Sequence, residues 1–289
     1  MSTINSDGLM DQPVEGARLR DAILVAYARA FNHPGKLRIL GMLARTFNPR
    51  PILRLPQGGL IRVGVEDFIG WALIRTGGYE PHTQALARRI LSERPGPFID
   101  VGANVGLFSI AMARVAGATV VAIEPDCENC THLRNNVRLN GYSNVQIFNG
   151  AVSSETGVAS ISVRQQKNSG TAFTSRTPTA GDRSDWVPLL TLDQVLAPLL
   201  SPESRPTLIK LDIEGAEKEA LLGLNFDGPF RPHNLILEYN ILSEPTWGSF
   251  DGLRAFFEDR GYSLHSIHGQ SVAAGDHLPE DNIWARDCR

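Results

Sequence analysis

The sequence predicts an α/β protein built on a mostly parallel, doubly wound sheet. Three observations carry this expectation. From about Tyr79 onward, short apolar runs alternate with helical segments, the pattern of strand–helix–strand units. The stretch "FIDVGANVGLFSIA" (Phe98–Ala111) is a buried strand with an acid at its tip, two glycines four apart, and an apolar helix. Near the C-terminus, Tyr262–Ile267 and Asn282–Arg286 read as two strands closing one edge, an antiparallel pair.

The chain has 289 residues, of which 42% are hydrophobic, enough for a sizeable core. A net charge of −3 recruits neither nucleic acid nor an anionic surface globally. The three cysteines, Cys127, Cys130 and Cys288, are too few and odd in number for a disulfide framework, which fits a reducing cytoplasm. The polar start "MSTINSDGLMDQPVEG" has no apolar signal core. No apolar stretch approaches the ~18–20 residues that span a bilayer, so stable membrane insertion is not expected.

Residues 1–16 are expected to be a disordered tail, 17–78 a cap of helices and a hairpin, and 79–289 the main domain. In the cap, Leu19, Ile23, Leu24, Tyr27, Ala30 and Phe31 recur at helical spacing; "NHPGK" interrupts, and Leu37–Phe47 resumes it. The arginines and Lys36 of this segment are set down as the solvated face of the cap rather than a membrane-surface helix. These helices either cover the active site or pair two subunits, so a homodimer is possible. Ile52–Val65 predicts a hairpin turning at Gln57-Gly58-Gly59, and Glu66–Arg75 a short helix. A helix over Thr83–Leu91 opens the main domain. Strands follow at Phe98–Val101, Thr119–Ile123, Val145–Phe148, Leu208–Leu211 and Leu235–Glu238. Helices are placed at Leu107–Val115, Asp126–Leu139, Ala216–Leu222 and Gly252–Arg260. Residues 149–206 form an unusually long insertion: a strand at Ala159–Arg164, a polar loop, then a helix at Leu192–Leu200 capped by Thr191 and Gln194. Its length suits a lid or binding loop.

Ligands of open α/β sheets bind beyond the C-terminal strand ends. Gly102 permits a turn closed to other residues, and Gly106 lets the next helix pack close. The helix amides there suit an anion, while Asp100 favours a cation close by. Glu124, ending the second strand, suits the hydroxyls of a ribose. A dinucleotide site shares Glu124, but its middle glycine is Asn104 here and its pyrophosphate would be repelled by Asp100. S-adenosylmethionine carries ribose, ammonium, carboxylate and sulfonium together, which matches these features. An NAD-dependent oxidoreductase is the alternative, and a non-catalytic binder of the nucleoside a third reading.

The segments "YEPHTQALARRIL", "FIDVGANVGLFSI", "AIEPDCENCTHLRNNVRLNGYSNV", "NGAVSSETG", "LLTLDQVL" and "LIKLDIEGAEKEALLGL" together resemble the FkbM family of S-adenosylmethionine-dependent methyltransferases, over roughly Tyr79–Arg286. The resemblance implies a class I methyltransferase (Rossmann-like) fold, with seven strands and a reversed last strand. It implies that Asp100, Gly102, Asn104 and Gly106 surround the methionine end of the cofactor. Glu124 would hold the ribose, Glu80 and Thr83 would flank the cofactor, and the segment containing Ala151 would lie near the adenine. It further implies O-methylation of a hydroxyl on a small molecule, a saccharide or natural product. The acceptor itself does not carry over.

A second acidic group surrounds "KLDIEGAE". Asp212 ends the fourth core strand, Glu214 and Glu217 follow, and Glu238 ends the next strand with Asn240 beyond it. Methyl transfer from a sulfonium is a displacement that needs alignment and a proton acceptor. Asp212 is the preferred base and also a cofactor neighbour, with Glu214 and Glu238 as alternatives. Glu217 is read as stabilising the following helix. A magnesium site on Asp212, Glu238 and Asn240 is a second functional reading of this group, since hard oxygen ligands suit that ion. His265, His268, Trp186, Trp247 and Phe173 are weaker candidates near the acceptor; His82 is read on the cofactor side, and the resemblance implies that Asn168–Gly170 lies near the cofactor. "CENC" with His132 has redox spacing but is read as packing, with Cys127, Cys130, Leu133 and Val137 on the buried side.

Overall fold

The computed structural model describes residues 19–30, 33, 35–65, 68–115, 117–163, 172–175, 184–240, 244–273, 275 and 282–289. The tail at 1–16, the Asn168–Gly170 loop, and Asn32 and Pro34 of the "NHPGK" break lie outside the described residues.

In chain order the elements are α1 (Leu19–Arg29), α2 (Lys36–Phe47), β1 (Ile52–Arg54), β2 (Leu60–Arg62), α3 (Phe68–Thr76), α4 (Pro81–Glu93), β3 (Phe98–Val101), α5 (Leu107–Met112), β4 (Val120–Ile123), α6 (Cys127–Leu139) and β5 (Val145–Phe148). Then come β6 (Ala151–Val152), β7 (Gly157–Val163), β8 (Ala172–Ser175), β9 (Ser184–Leu190), α7 (Leu192–Leu196), β10 (Leu208–Leu211), α8 (Glu217–Leu222), β11 (Asn234–Glu238), α9 (Glu244–Trp247), α10 (Phe250–Glu258), β12 (Tyr262–Ser266) and β13 (Asn282–Asp287).

Seven strands form the central sheet in the order β12-β13-β11-β10-β3-β4-β5. The pairs from β11 to β5 are parallel, whereas β13 runs antiparallel to both β11 and β12. The class I methyltransferase arrangement expected from the resemblance, including the reversed last strand, is therefore present. The strands are apolar at consecutive positions because both faces are covered. Phe98, Val120, Ala122, Leu208 and Ile236 pack with the helices of the cap, α4 and α5. Their neighbours Ile99, Val121, Ile123, Ile209 and Leu237 pack with α7, α8 and α10 on the other face. Two charged residues interrupt this pattern. Asp100 and Lys210, register partners on β3 and β10, share the face of Phe98 and Leu208.

Several caps explain the helix starts. Asp126 accepts from the Asn129 amide and so precedes α6 rather than joining it. Thr191 and Gln194 make both bonds of the capping box, but α7 ends at Leu196, four residues earlier than expected. Ser249 caps α10, which starts at Phe250.

The long insertion differs most from expectation. Instead of one strand and a polar loop, it holds a second sheet in the order β6-β9-β7-β8. β9, "SDWVPLL", was hidden by Pro188, which cannot donate to a ladder. It is tolerated because β6 pairs only with Leu189 and Leu190, leaving Pro188 with a neighbour on one side.

The hairpin is held to the main domain by two side-chain amides of α6 that act as a substitute strand. Asn140 accepts from the Leu60 amide at 2.7 Å and donates to the Leu60 carbonyl at 2.7 Å. Asn136 accepts from the Arg62 amide at 2.8 Å, and its amide group donates to the Arg62 and Val105 carbonyls.

Candidate active site

The turn after β3 is shaped by three left-handed residues, Gly102 (φ +82°), Asn104 (φ +51°) and Gly106 (φ +95°). A Cβ on Gly102 would lie 2.0 Å from the Asp212 carbonyl oxygen, so the tips of β3 and β10 touch backbone to backbone. A Cβ on Gly106 would lie 2.5 Å from Leu133 Cδ1, which packs α5 onto α6. Gly102 and Ala103 both donate their amides to the Ile123 carbonyl at 3.0 Å. Glu124 ties the same turn from β4: its carboxylate accepts the Asn104 amide at 2.7 Å and the Asp126 amide at 2.9 Å. Burial pushes this carboxyl up to about 7, against the pull of those two bonds.

Two cavities meet at this turn. One is lined by Gly102, Asn104, Ile123, Glu124, Pro125, Gly150, Ala151, Val152, Asp212, Ile213 and Glu214. Its walls are thus the tips of β3 and β4, the segment around Ala151, and the loop after β10. The second cavity, about 300 Å³, shares Gly102, Asn104, Asp212 and Glu214 with the first. It adds Asp100, Lys210 and Glu238 on one side and Phe68, Ile69, Tyr79, Leu107 and Phe108 on the other. Asp100, Gly102, Asn104, Glu124, Ala151, Asp212, Glu214 and Glu238 therefore border one crevice at the C-terminal ends of the strands. Gly106 lies one step behind it, in the packing of α5.

Sequence reasoning missed Lys210. Its ammonium is buried, lies 2.8 Å from Asp212 Oδ2, and sits 4.4 Å from the centre of the Phe108 ring. Burial works against that charge, but Asp212, Glu80 and Asp100 outweigh it and hold the ammonium above its ordinary range. Asp100 is itself buried and accepts a 2.6 Å bond from Ser109 Oγ; burial raises its pKa and Lys210 opposes the rise. Asp100 thus already has a cation of the protein's own acting on it while it lines the second cavity. The available signal was a lysine inside the apolar run "LIKL", where a charge requires a partner on the next strand.

Glu80 and Thr83 do not line either cavity. Both face Asn282 on β13, at 3.4 Å, and Glu80 also feels Lys210. Glu80 holds the N-cap of α4 with φ +45°.

The loop after β10 gathers the second acidic group. Ligand oxygens of Asp212, Glu214 and Glu238 lie within 4.8 Å of one another, the one set among the described residues that would suit a cation. Burial, then the charges of Asp212 and Glu217, pushes Glu214 up to about 7. Burial, then Asp212 and Glu214, pushes Glu238 up to about 8, and Asn240 bonds to it. Glu217, expected to stabilise the following helix, is buried and accepts the Ile213 and Gly215 amides, so it shapes the loop before α8.

The weaker candidates lie elsewhere. His265 lies tilted against Trp284 with ring centres 5.1 Å apart, and His82 packs edge-on to His268 at 5.0 Å. Trp247 is buried between Phe256 and Phe257, while Trp186 is exposed on β9. The Phe173 side chain lies outside the described residues. Cys130 is buried with Leu133 and Val137, but Cys127 is exposed, with Asn149 beside it at 3.6 Å. The sequence also gave no sign that Phe68, Ile69 and Tyr79 would wall the crevice, because they arrive from the cap and its connection to α4.

Comparison with known proteins supplies the family. The methyltransferase FkbM domain matches residues 100–264. No curated protein gives a match. Similar solved structures include a SAM-dependent methyltransferase from Aquifex aeolicus, with 10% identity, 70% of this chain and 87% of that chain covered, and a TM-score of 0.39. TYW2 of M. jannaschii in complex with AdoMet shows 13% identity over 82% of this chain and 84% of that chain, with a TM-score of 0.38. Precorrin-6y C5,15-methyltransferase from Geobacter metallireducens shows 13% identity over 71% and 89%, with a TM-score of 0.36. The matched family segment covers more than half of the chain and contains each of the strand-tip acids that border the crevice, so this chain belongs to the methyltransferase FkbM domain family.

Proposed function

We propose that the protein is an S-adenosylmethionine-dependent O-methyltransferase acting on a hydroxyl of a small molecule, a saccharide or natural product. The supporting observation is the pair of cavities that meet at Gly102, Asn104, Asp212 and Glu214. The first combines one carboxylate, Glu124, with the apolar walls of Ile123, Pro125, Ala151 and Val152, which suits a ribose and an adenine. The methionine end then reaches the Gly102–Asn104 turn, and the sulfonium lies toward Asp212 and Glu214. The second cavity takes the acceptor between its aromatic wall and its acids. Among the described residues its one lining cation, Lys210, is ion-paired with Asp212, which disfavours a polyanionic acceptor such as RNA.

In this reading the acceptor oxygen attacks the methyl carbon, the carbon–sulfur bond breaks, and its electron pair stays on sulfur. The hydroxyl proton passes to a carboxylate. Glu238 is the better placed acceptor, because its pKa of about 8 is matched to neutral pH, whereas Asp212 is held by Lys210. Asp212 then orients, and Glu214 supplies negative charge beside the sulfonium. Arrival of the sulfonium favours the ionised form of Glu238, so donor binding arms the base.

The test is a labelled methyl-transfer screen across hydroxylated metabolites, read by mass spectrometry. Transfer of the label to oxygen supports the reading; transfer only to nitrogen, carbon or RNA overturns it. The spacing of Asp212, Glu214 and Glu238 favours one second reading, a magnesium ion that activates the acceptor. Activity that survives chelation removes it.

A further inference from the structure

The cap helices lend Phe68 and Ile69 to the acceptor cavity, but their outer surface takes no part in methyl transfer. That surface is unusually apolar. Of the nine large hydrophobic side chains exposed among the described residues, five lie on α1 and α2: Leu19, Ile23, Ile39, Met42 and Phe47. Met42 is 60% exposed and Ile23 61% exposed.

On α2 the outward face is mixed in a particular way. Lys36 and Leu40 are buried, while Arg38, Ile39, Met42, Arg45 and Thr46 are exposed. Positions 38, 42 and 45 are four and three residues apart, so two arginines bracket Met42 on one face, with Ile39 beside it. Next to this face lies a cavity of about 490 Å³, lined by Ala28, His33, Gly35, Lys36, Arg38, Trp71 and Arg75. Arg38 belongs to both the face and the cavity. Arg75 lies over the Trp71 ring at 5.8 Å, and no acid is among the lining residues. Between Leu19 and Arg50 the sequence carries Arg20, Arg29, Lys36, Arg38, Arg45 and Arg50 against a single acid, the buried Asp21, which pairs with Arg20 at 3.7 Å, while Arg50 pairs with Glu128 at 3.7 Å.

This charge pattern selects the occupant. A second copy of the chain docked through the same face would bring Arg38 and Arg45 of both copies into one interface to which α2 contributes no acid, which is repulsive. The partner must be anionic and must also accept apolar side chains that project singly from a convex helix. An anionic phospholipid surface offers both, because its interfacial layer conforms to such side chains while its head groups attract arginine.

We propose that the outward face of α2 is a peripheral membrane-docking surface. Ile39 and Met42 enter the interfacial layer of an anionic phospholipid bilayer, and the Arg38–Arg75 cavity takes a lipid phosphate. Docking of this kind inserts no helix through the membrane; among the described residues none is long and apolar enough to cross one.

The full chain tests this by co-sedimentation with vesicles. Partition into phosphatidylcholine vesicles containing about 30% phosphatidylglycerol should exceed that into pure phosphatidylcholine by about tenfold or more, and fall at high salt. Met42→Glu and Arg38→Glu should each cut the anionic partition by roughly tenfold. Both side chains are exposed, so S-adenosylmethionine affinity should stay unchanged in the variants, which separates docking from donor binding. Equal partition into the two vesicle types overturns the proposal, as does equal partition of wild type and Met42→Glu. A wild-type dimer that Met42→Glu dissociates would make this face a self-interface and would also overturn it.

Discussion

Lys210 is the residue on which the site turns. Itself buried, it neutralises the buried Asp100 and the half-buried Glu80 and Asp212, and no other cation among the described residues lines the crevice beside them. Lys210→Met keeps the volume but strands those charges, so a loss of about 3–5 kcal/mol of stability is expected, the usual result of breaking a buried ion pair. A thermal melt that matches wild type would show that the acids are compensated elsewhere. Gly102 is the second test at this scale. Gly102→Ala drives a Cβ into the Asp212 carbonyl at a φ of +82°, so backbone strain of ~1–3 kcal/mol and loss of donor binding are expected together, read by melting and calorimetric titration. Unaltered donor affinity would separate the turn from the donor site.

At the scale of elements, α6 positions the hairpin through Asn136 and Asn140, and the hairpin lies next to the cap. Asn140→Ala leaves the Leu60 amide and carbonyl without their partner, which should cost about 1–3 kcal/mol and speed hydrogen exchange at Leu60 before the central sheet opens. Exchange at Leu60 that is as slow as in the wild type would mean that the hairpin is held by packing alone. Strands β3, β4, β10 and β11 were legible because each is a short run buried on both faces and closed by an acid or glycine turn. The second sheet was not: β9 contains Pro188, β8 lies in a polar stretch, and β6 is two residues long. The strand-tip carboxylates were legible as a group, since their positions follow from strand ends. Their division of labour was not, because it depends on Lys210, whose pairing across β3 and β10 is set by register rather than by sequence neighbours. The cap's contribution of Phe68, Ile69 and Tyr79 was equally hidden, since no local pattern says which distant helix covers a strand tip.

Over the whole molecule, the crevice concentrates negative charge that the fold alone does not relieve. Glu124 and Glu214 sit near 7 and Glu238 near 8, all above the ordinary carboxylate range. The folded state therefore holds protons that the unfolded chain has released. Their contribution to stability is present at low pH and is lost as pH rises through 7 to 8. The melting temperature of the ligand-free protein should fall between about pH 6.5 and 8.5, a window above the lowered titrations of His233 and Asp287. S-adenosylmethionine, with its sulfonium, should gain affinity over the same range relative to the uncharged thioether of S-adenosylhomocysteine. A pH-independent ratio of the two affinities would remove the acids from contact with the sulfonium.

The most direct measurement is a calorimetric titration of the purified chain with S-adenosylmethionine, S-adenosylhomocysteine and NADH. A nucleoside held at Glu124 beside the Asp212 and Glu214 carboxylates predicts binding of both sulfur nucleosides and none of NADH. Binding of NADH with neither sulfur nucleoside taken up would contradict it.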